Sequence, residues 1–196
     1  IYQCLLCEGK MTGYEVAKQT GISRSNAYNS LASMTEKGAT YLVEEGNTRK
    51  YVPVPVEEFC KNRIRRMEEA RQWLKIHVPS EKTHVEGYIT IEGARNILDK
   101  MRNLLDKVEQ RVYISCTRNY LLLLVRELEE LKRAGKKVVI VTDQPVTFSG
   151  AKVYVGKSRG MQIGVIADSR YVLTGEYGEG SMNTCLYSAQ KYFVEL

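Results

Sequence analysis

Histidine is scarce in this chain of 196 residues: two occur, His77 and His84. That leaves little material for His-rich zinc sites or for imidazole acid–base catalysis. Proline is almost as rare, with 4 residues, which does not suit a Pro-rich disordered chain. No run of about 18 apolar residues exists, so no membrane-spanning helix is expected; the longest, Leu121–Val125, is far too short. No signal-peptide pattern is visible. The first residue is Ile1 rather than Met, so the chain reads as a trimmed fragment. The five cysteines, Cys4, Cys7, Cys60, Cys116 and Cys185, are an odd number scattered among apolar neighbours. They suit a reducing cytoplasm better than a disulfide scaffold. Cys4 and Cys7 form a lone C-x-x-C, read as burial along a helix face, with a redox or metal role as the alternative. No cofactor is expected.

What is present is the composition of a folded protein: 43% hydrophobic and 27% charged residues. Lys and Arg number 29 against 23 Asp and Glu, a net charge of +6. The excess is spread along the chain, with 13 basic and 11 acidic side chains in residues 1–86 and 16 against 12 in residues 87–196. Charge alone therefore does not mark a nucleic-acid-binding half; placement has to.

Residues 1–55 read as short helices followed by a hairpin. Ile1, Leu5 and Leu6 share a helical face. Thr12 with Glu15 three residues on has the capping-box spacing and opens a helix over about 13–19, with Val16 and Ala17 inward. Gly21 suits a helix C-terminus. Ser23 caps a third helix over about 24–37, whose apolar positions are Ala27, Leu31 and Met34. Tyr41–Glu45 and Lys50–Val54 are strand-like runs joined by Gly46-Asn47-Thr48-Arg49.

Helix, turn, helix, hairpin is the order of a winged helix-turn-helix. The second helix of the pair presents its N-terminal residues to base edges in the major groove. Here these are Ser23, Arg24, Ser25, Asn26, Tyr28 and Asn29. Arg suits guanine and Asn suits adenine through paired hydrogen bonds, while hydroxyls reach phosphates. Arg49 and Lys50 on the wing suit a phosphate backbone. No acidic residue occurs from Ser23 to Thr35. The alternative is a solvated helix in a winged helix that binds protein.

Residues 56–78 read as one long helix. Cys60, Ile64, Met67, Arg71, Leu74 and Val78 alternate by four and three, the seam spacing of a coiled coil interrupted at Arg71. This is either a dimerisation helix or a connector packed on a neighbouring domain. The basic run 61–66 is either a DNA-facing or a solvated surface. Pro79–Glu86 is polar and is the expected boundary. Beyond it strands and helices alternate: strand Tyr88–Ile91, amphipathic helix Ala94–Val108, strand Arg111–Cys116, helix Leu121–Ala134, and the parallel-type strand Val138–Val141. Strands Lys152–Val155, Met161–Ala167 and Tyr171–Thr174 follow, with a turn at Asp168-Ser169-Arg170 and a closing helix at Cys185–Val194. The expected class is a two-domain mix of α+β and α/β.

With these residues placed, the chain resembles the TrmB-like winged-helix regulators. The resemblance is carried by Tyr14-Glu15-Val16-Ala17, by Thr20-Gly21-Ile22-Ser23-Arg24-Ser25-Asn26-Ala27-Tyr28, by Leu31 and by Glu36-Lys37-Gly38. It continues through the long helix into Gly87–Gly93 and Arg111–Ser115. It implies a winged-helix DNA-binding domain at 1–55, a coiled-coil dimerisation helix at 56–78 using Cys60, Ile64, Met67 and Leu74, and a phospholipase-D-like α/β sandwich at 87–196 that regulates. In active phospholipase D enzymes an H-x-K precedes an Asp by four residues, with a Gly further on. Asp168 and Gly175 match the Asp and Gly, but Met161 stands at the His position and Ile163 at the Lys position, where neither can attack phosphorus. The domain is thus expected to be catalytically inactive. Longer sugar-sensing members carry a further β-rich domain, which this chain, ending at Leu196, is expected to lack, so the resemblance does not imply a sugar effector. Small-molecule neighbours are sought instead at strand ends: Ser115, Thr117, Arg118, Asn119, Thr142, Asp143 and Gln144, with Lys157 and Arg159 for an anion.

The expected function is a homodimeric, sequence-specific regulator that binds double-stranded operator DNA, works in the cytoplasm, makes no membrane contact and answers to a small-molecule effector. The alternatives are a DNA-targeted phosphodiesterase or nuclease, and a winged-helix protein-interaction module.

Overall fold

The computed structural model describes residues 1–79, 87–157 and 160–190. His84, Arg159 and most of the expected boundary Pro79–Glu86 lie outside them. The chain divides into two compact units, residues 1–81 and 82–196.

In the first unit, α1 (Tyr2–Glu8), α2 (Gly13–Thr20) and α3 (Arg24–Glu36) precede a hairpin of β2 (Thr40–Glu45) and β3 (Thr48–Pro53), and α4 (Val56–His77) follows. Thr12 accepts the Glu15 N–H at 3.2 Å while the Glu15 carboxylate accepts the Thr12 N–H at 2.7 Å, the reciprocal capping box that opens α2. Gly21, at φ 70° and ψ 8°, takes the left-handed conformation that ends α2, and Ser23 caps α3 two residues later. Leu5, Val16, Ala17, Ala27, Leu31 and Tyr51 make the core, with Met34 packed against it.

Four local expectations are corrected. Met11–Thr12 forms a two-residue strand, β1, paired with Tyr51 and Lys50 of β3, so the winged sheet has three strands. The hairpin turn is only Gly46-Asn47, because Thr48 and Arg49 already pair with Glu45 and Glu44. On α1, Leu5 is fully buried but Leu6 is 41% exposed: a helix this short turns one apolar side chain to the core. For the same reason Cys4 is only half-buried and Cys7 is exposed, against the expected burial of both.

In the second unit, β4 (Ile89–Glu92), α5 (Ala94–Leu105), β5 (Arg111–Ser115), α6 (Arg118–Leu121), α7 (Val125–Arg133), β6 (Lys137–Thr142), β7 (Lys152–Val155), β8 (Gln162–Ala167), β9 (Tyr171–Glu176) and β10 (Thr184–Ser188) follow in order. They build one seven-stranded sheet in the order β4-β10-β9-β8-β5-β6-β7. Only β5, β6 and β7 run parallel among these pairings; the others are antiparallel. The β-branched run Val138–Val141 lies in β6 between two parallel neighbours, as its composition requires. Ile97, Met101, Leu104 and Leu105 of α5 and Leu128 and Leu131 of α7 pack with Val112, Ile114, Ile140, Val165 and Leu173 of the sheet.

The single helix expected over Leu121–Ala134 is broken by a 3-10 turn at Leu122–Leu124. The tighter turn brings Leu121 and Leu124, three apart, both into the core while Leu122 and Leu123 stay exposed. The helix expected over Cys185–Val194 is also corrected. Its first part is strand β10, hydrogen-bonded to β9 and to β4, and residues after 190 lie outside the described ones. Backbone pairing on both sides outweighs the local helical spacing.

Asp168 holds the β8–β9 corner to the start of β5. Its two carboxylate oxygens accept the backbone N–H groups of Glu109, Gln110 and Arg111 at 2.8, 2.8 and 2.9 Å. It and Ser169 both sit at φ 52°. Partial burial raises its pKa, but the three donors outweigh that and hold the carboxyl below the ordinary 3.8. Asp168→Asn keeps the turn, since Asn tolerates this conformation, and loses the charge. We expect it to cost the second unit about 1–2 kcal/mol, read by urea denaturation at neutral pH. The wild type's advantage is fully present above pH 3.8 and disappears as the pH falls through the lowered native value. A gap that persists under strong acid would contradict this role.

Candidate nucleic-acid interface

Ser23, Arg24, Ser25, Asn26, Tyr28 and Asn29 all lie at the N-terminal end of α3 and are exposed. Ala27 and Leu31 anchor the opposite side of the helix in the core. Helical periodicity thus fixes which residues face outward. Ser23 is a cap first, since its hydroxyl accepts the Asn26 N–H at 3.4 Å.

Two features of this surface escape the sequence pattern. The Arg24 guanidinium lies 4.4 Å from the centre of the Tyr14 ring on α2. Attraction of the cation to the ring face uses the ring's quadrupole and none of the guanidinium N–H donors. One turn on, Tyr28 lies against Gly13. A Cβ built on Gly13 would come within 2.4 Å of the Tyr28 ring, so only glycine permits this approach. The start of α2 and the start of α3 therefore form one surface, with a Tyr from each helix beside Arg24. Tyr14, directly after the Gly and two places beyond the Thr12 cap, was legible only as a helix residue.

The wing behaves differently from the helix. Arg49 pairs with Glu44 at 3.2 Å, and Lys50 with Glu45 at 2.8 Å. Lys10 also pairs with Glu45. Hydrogen bonds from Lys10 and then Lys50 pull the Glu45 carboxyl down to about 2. The cations expected to meet phosphate are already matched by carboxylates across the hairpin, and Lys10 joins them from the loop before β1.

α4 is tied to the rest of the unit along its first half. Tyr41 Oη donates to Glu58 at 3.0 Å, the Tyr2 and Phe59 rings are 6.3 Å apart, and Arg66 approaches Gly38. Further on its seam is bare: Ile64, Met67, Leu74 and Val78 are 52–71% exposed, and Cys60 is exposed too. Trp73 and Ile76, off the seam, are equally open. No residue of α4 is buried.

In the second unit the strand ends bring together Ser115, Thr117, Thr142, Asp143 and Lys157 around a hollow of about 20 Å³. That is room for about one water, too little for an effector. Arg118, Asn119 and Gln144 are not among its lining residues; the Arg118 N–H instead donates to Asp143 at 2.8 Å. Burial, then Asp143, pushes the Cys116 thiol beside it up to about 12, which makes it inert. Of the phosphodiesterase-motif positions, Ile163 points into the core and pairs with Gly175 across β8 and β9. Asp168 is at the opposite end of β8 from Met161, roughly 20 Å away at a strand rise of about 3.3 Å per residue, with its carboxylate engaged by backbone. Among the described residues no group of His, Cys, Asp and Glu is placed to hold a metal, and no helix is long and apolar enough to cross a membrane.

A helix pair with a glycine turn, a capped second helix and a three-stranded wing define a winged helix-turn-helix. Residues 1–57 match the family described as "Sugar-specific transcriptional regulator TrmB". The N-terminal module of the chain is thus a TrmB-like one. It is 37% identical over 145 residues to the uncharacterized protein YrhO of Bacillus subtilis (strain 168), covering 72% of this chain and 51% of that one. The chain thus spans about half the length of the curated relative it matches. Its fold is similar to that of TrmBL2, an archaeal chromatin protein with a novel mode of DNA binding, at a TM-score of 0.50 and 17% identity over 99% of this chain and 86% of that one. A weaker similarity, TM-score 0.43 and 14% identity, relates 56% of the chain to 90% of NucT from Helicobacter pylori.

The Gly13–Tyr28 contact makes a sign prediction. Gly13→Ala forces the Tyr28 ring off α2 and costs about 1 kcal/mol or more. On a Tyr28→Ala background the same change is neutral or stabilising, because Ala is the better helix former. Urea denaturation of the four proteins of this cycle reads the coupling; additive effects would mean that the ring does not rest on Gly13.

Proposed function

We propose that this chain is a sequence-specific DNA-binding regulator of transcription whose reading element is the start of α3. The observation that carries the reading is Arg24: a guanidinium seated on the Tyr14 ring at the exposed N-terminus of a helix with no acidic residue through Thr35. Seated so, Arg24 meets a guanine edge with little further ordering, flanked by Asn26 and Asn29 for adenine and by Ser25 and Tyr28 for phosphate. The ion-paired wing contributes less than its cations suggest, since Arg49 and Lys50 must exchange Glu44 and Glu45 for phosphate. The TrmB-like module and the TrmBL2-like fold support the same class.

Two chains pair along the bare seam of α4 in this reading. Cys60, Ile64, Met67 and Leu74 lie in it, and pairing would cover apolar side chains that one chain leaves in water. The second unit, of the phospholipase-D-like class, acts as a sensor in the cytoplasm and not as a catalyst. Met161 and Ile163 stand where a nucleophile and its partner would be needed, and Asp168 has a structural task. An effector works by binding one arrangement of the dimer better than another.

The test begins with duplexes enriched from random sequence by the purified chain. Arg24→Ala lowers affinity for the enriched site by about 1–3 kcal/mol at fixed salt; equal binding by wild type and variant in a gel shift would refute the assignment. Ile64→Asp, on the exposed seam, turns the dimer into a monomer in sedimentation at micromolar concentration while its helical signal changes little. A dimer that survives this change is held elsewhere.

A further inference from the structure

We propose that Cys4, Cys7 and Met11 form a binding site for one soft monovalent metal ion, Cu(I), at the end of α1. Cys4 Sγ lies 3.8 Å from Met11 Sδ. Two sulfurs held by one ion at about 2.3 Å each, at an angle of about 110–120°, stand about 3.8–4.0 Å apart. The two sulfurs thus have the spacing of a ligand pair. Cys7 follows Cys4 by three residues in the same helix, where side chains share a flank with Cβ atoms about 5–6 Å apart. One ion can therefore reach both thiols. Cys7 is exposed and Cys4 half-buried, so an ion enters from the solvent side and is covered on the other.

Two local devices put Met11 beside Cys4. Gly9 ends α1 at φ 82° and ψ −137°, a conformation open to glycine, and its N–H donates to the Leu5 carbonyl at 2.8 Å. The chain then enters β1, where Met11 pairs with Tyr51 of β3. Met11 also packs against the apolar cluster of the unit. A partly buried thioether thus rests on a half-buried thiol, with the backbone of both held by hydrogen bonds. The donor type selects the ion. Thiolate and thioether are soft and suit Cu(I), whereas a structural Zn(II) site asks for four ligands. Among the described residues no third His, Cys, Asp or Glu joins the two cysteines, so the site offers a set of three sulfurs. Ligation takes one proton from each thiol; two protons leave per ion and no electron is transferred. The C-x-x-C is legible in the sequence. Met11 is not, because its sulfur meets Cys4 only through the turn at Gly9 and the pairing of β1.

The site does not rest on the function proposed above. Its test contains no DNA, and its failure is separate from that of the Arg24 test. The full chain, anaerobic and with its thiols reduced, is titrated with Cu(I) held by a coloured chelator, and with Zn(II) in parallel. One Cu(I) per chain is expected to pass from the chelator to the protein and to stay bound through gel filtration. X-ray absorption is expected to show a shell of three sulfurs at about 2.3 Å. Cys7→Ser, at an exposed position, is expected to abolish retention. Met11→Leu keeps an apolar side chain of similar size; it is expected to weaken binding at least about tenfold and to leave two sulfurs in the shell. Cys60→Ser, which alters the exposed thiol of α4, is expected to leave retention unchanged. If Met11→Leu does not fold, the wild-type shell decides: three sulfurs support the site, and two overturn it. Failure to take Cu(I), or equal retention of Zn(II), overturns the proposal. So does retention unchanged by Cys7→Ser or by Met11→Leu, or retention lost in Cys60→Ser.

Discussion

The helix pair that presents Arg24 is held by a very small apolar core. Leu5, Val16, Ala27 and Leu31 are fully buried, and Ala17 and Tyr51 complete the cluster. Six side chains fix the crossing of α2 and α3, and with it the outward face that carries Arg24, Asn26 and Asn29. So small a core has little redundancy. A truncation at Leu31 leaves a cavity the neighbours cannot fill, at a typical cost of about 2–5 kcal/mol. The two alanines matter for the opposite reason, since they allow the helix backbones to approach. Gly13 carries this furthest by letting the Tyr28 ring rest on the first turn of α2.

Charge in this molecule is arranged by pairing more than by excess. The wing has as many carboxylates as cations, and Glu45 alone engages Lys10 and Lys50. The α3 face holds Arg24 against a ring and keeps carboxylates away. An approaching anion meets an unmatched cation at the helix and a matched set at the hairpin. In water such exposed pairs contribute little to stability, but they set the order in which groups are available. In the second unit Arg102 of α5 is likewise paired, with Glu127 of α7.

In the second unit an acidic residue has a task that is wholly structural in its contacts. Asp168 binds three successive backbone N–H groups at the start of β5 and closes the β8–β9 turn. That task needs a carboxylate in this position whether or not a nucleophile stands at Met161. A motif residue is therefore weak evidence of catalysis until its partners are seen.

The sequence by itself determined the local elements whose signals are local. Thr12 and Glu15 cap α2, Gly21 ends it, Ser23 opens α3, and the Val138–Val141 run is a parallel strand, because each depends on a few neighbouring residues and on backbone geometry. The outward set at the start of α3 was legible too, since the inward positions Ala27 and Leu31 fix the opposite face. The tertiary structure decided what depends on distant partners. Only a neighbour on each side makes Cys185 part of a strand and not of a helix. Only the core's shape breaks the helix at Leu122–Leu124. Only the packing of α2 on α3 seats Arg24 on Tyr14, and only the hairpin pairing joins Lys10 to Glu45. The alternation of side chains along one segment is written in that segment; which surfaces then meet is a matter of burial and pairing across the chain.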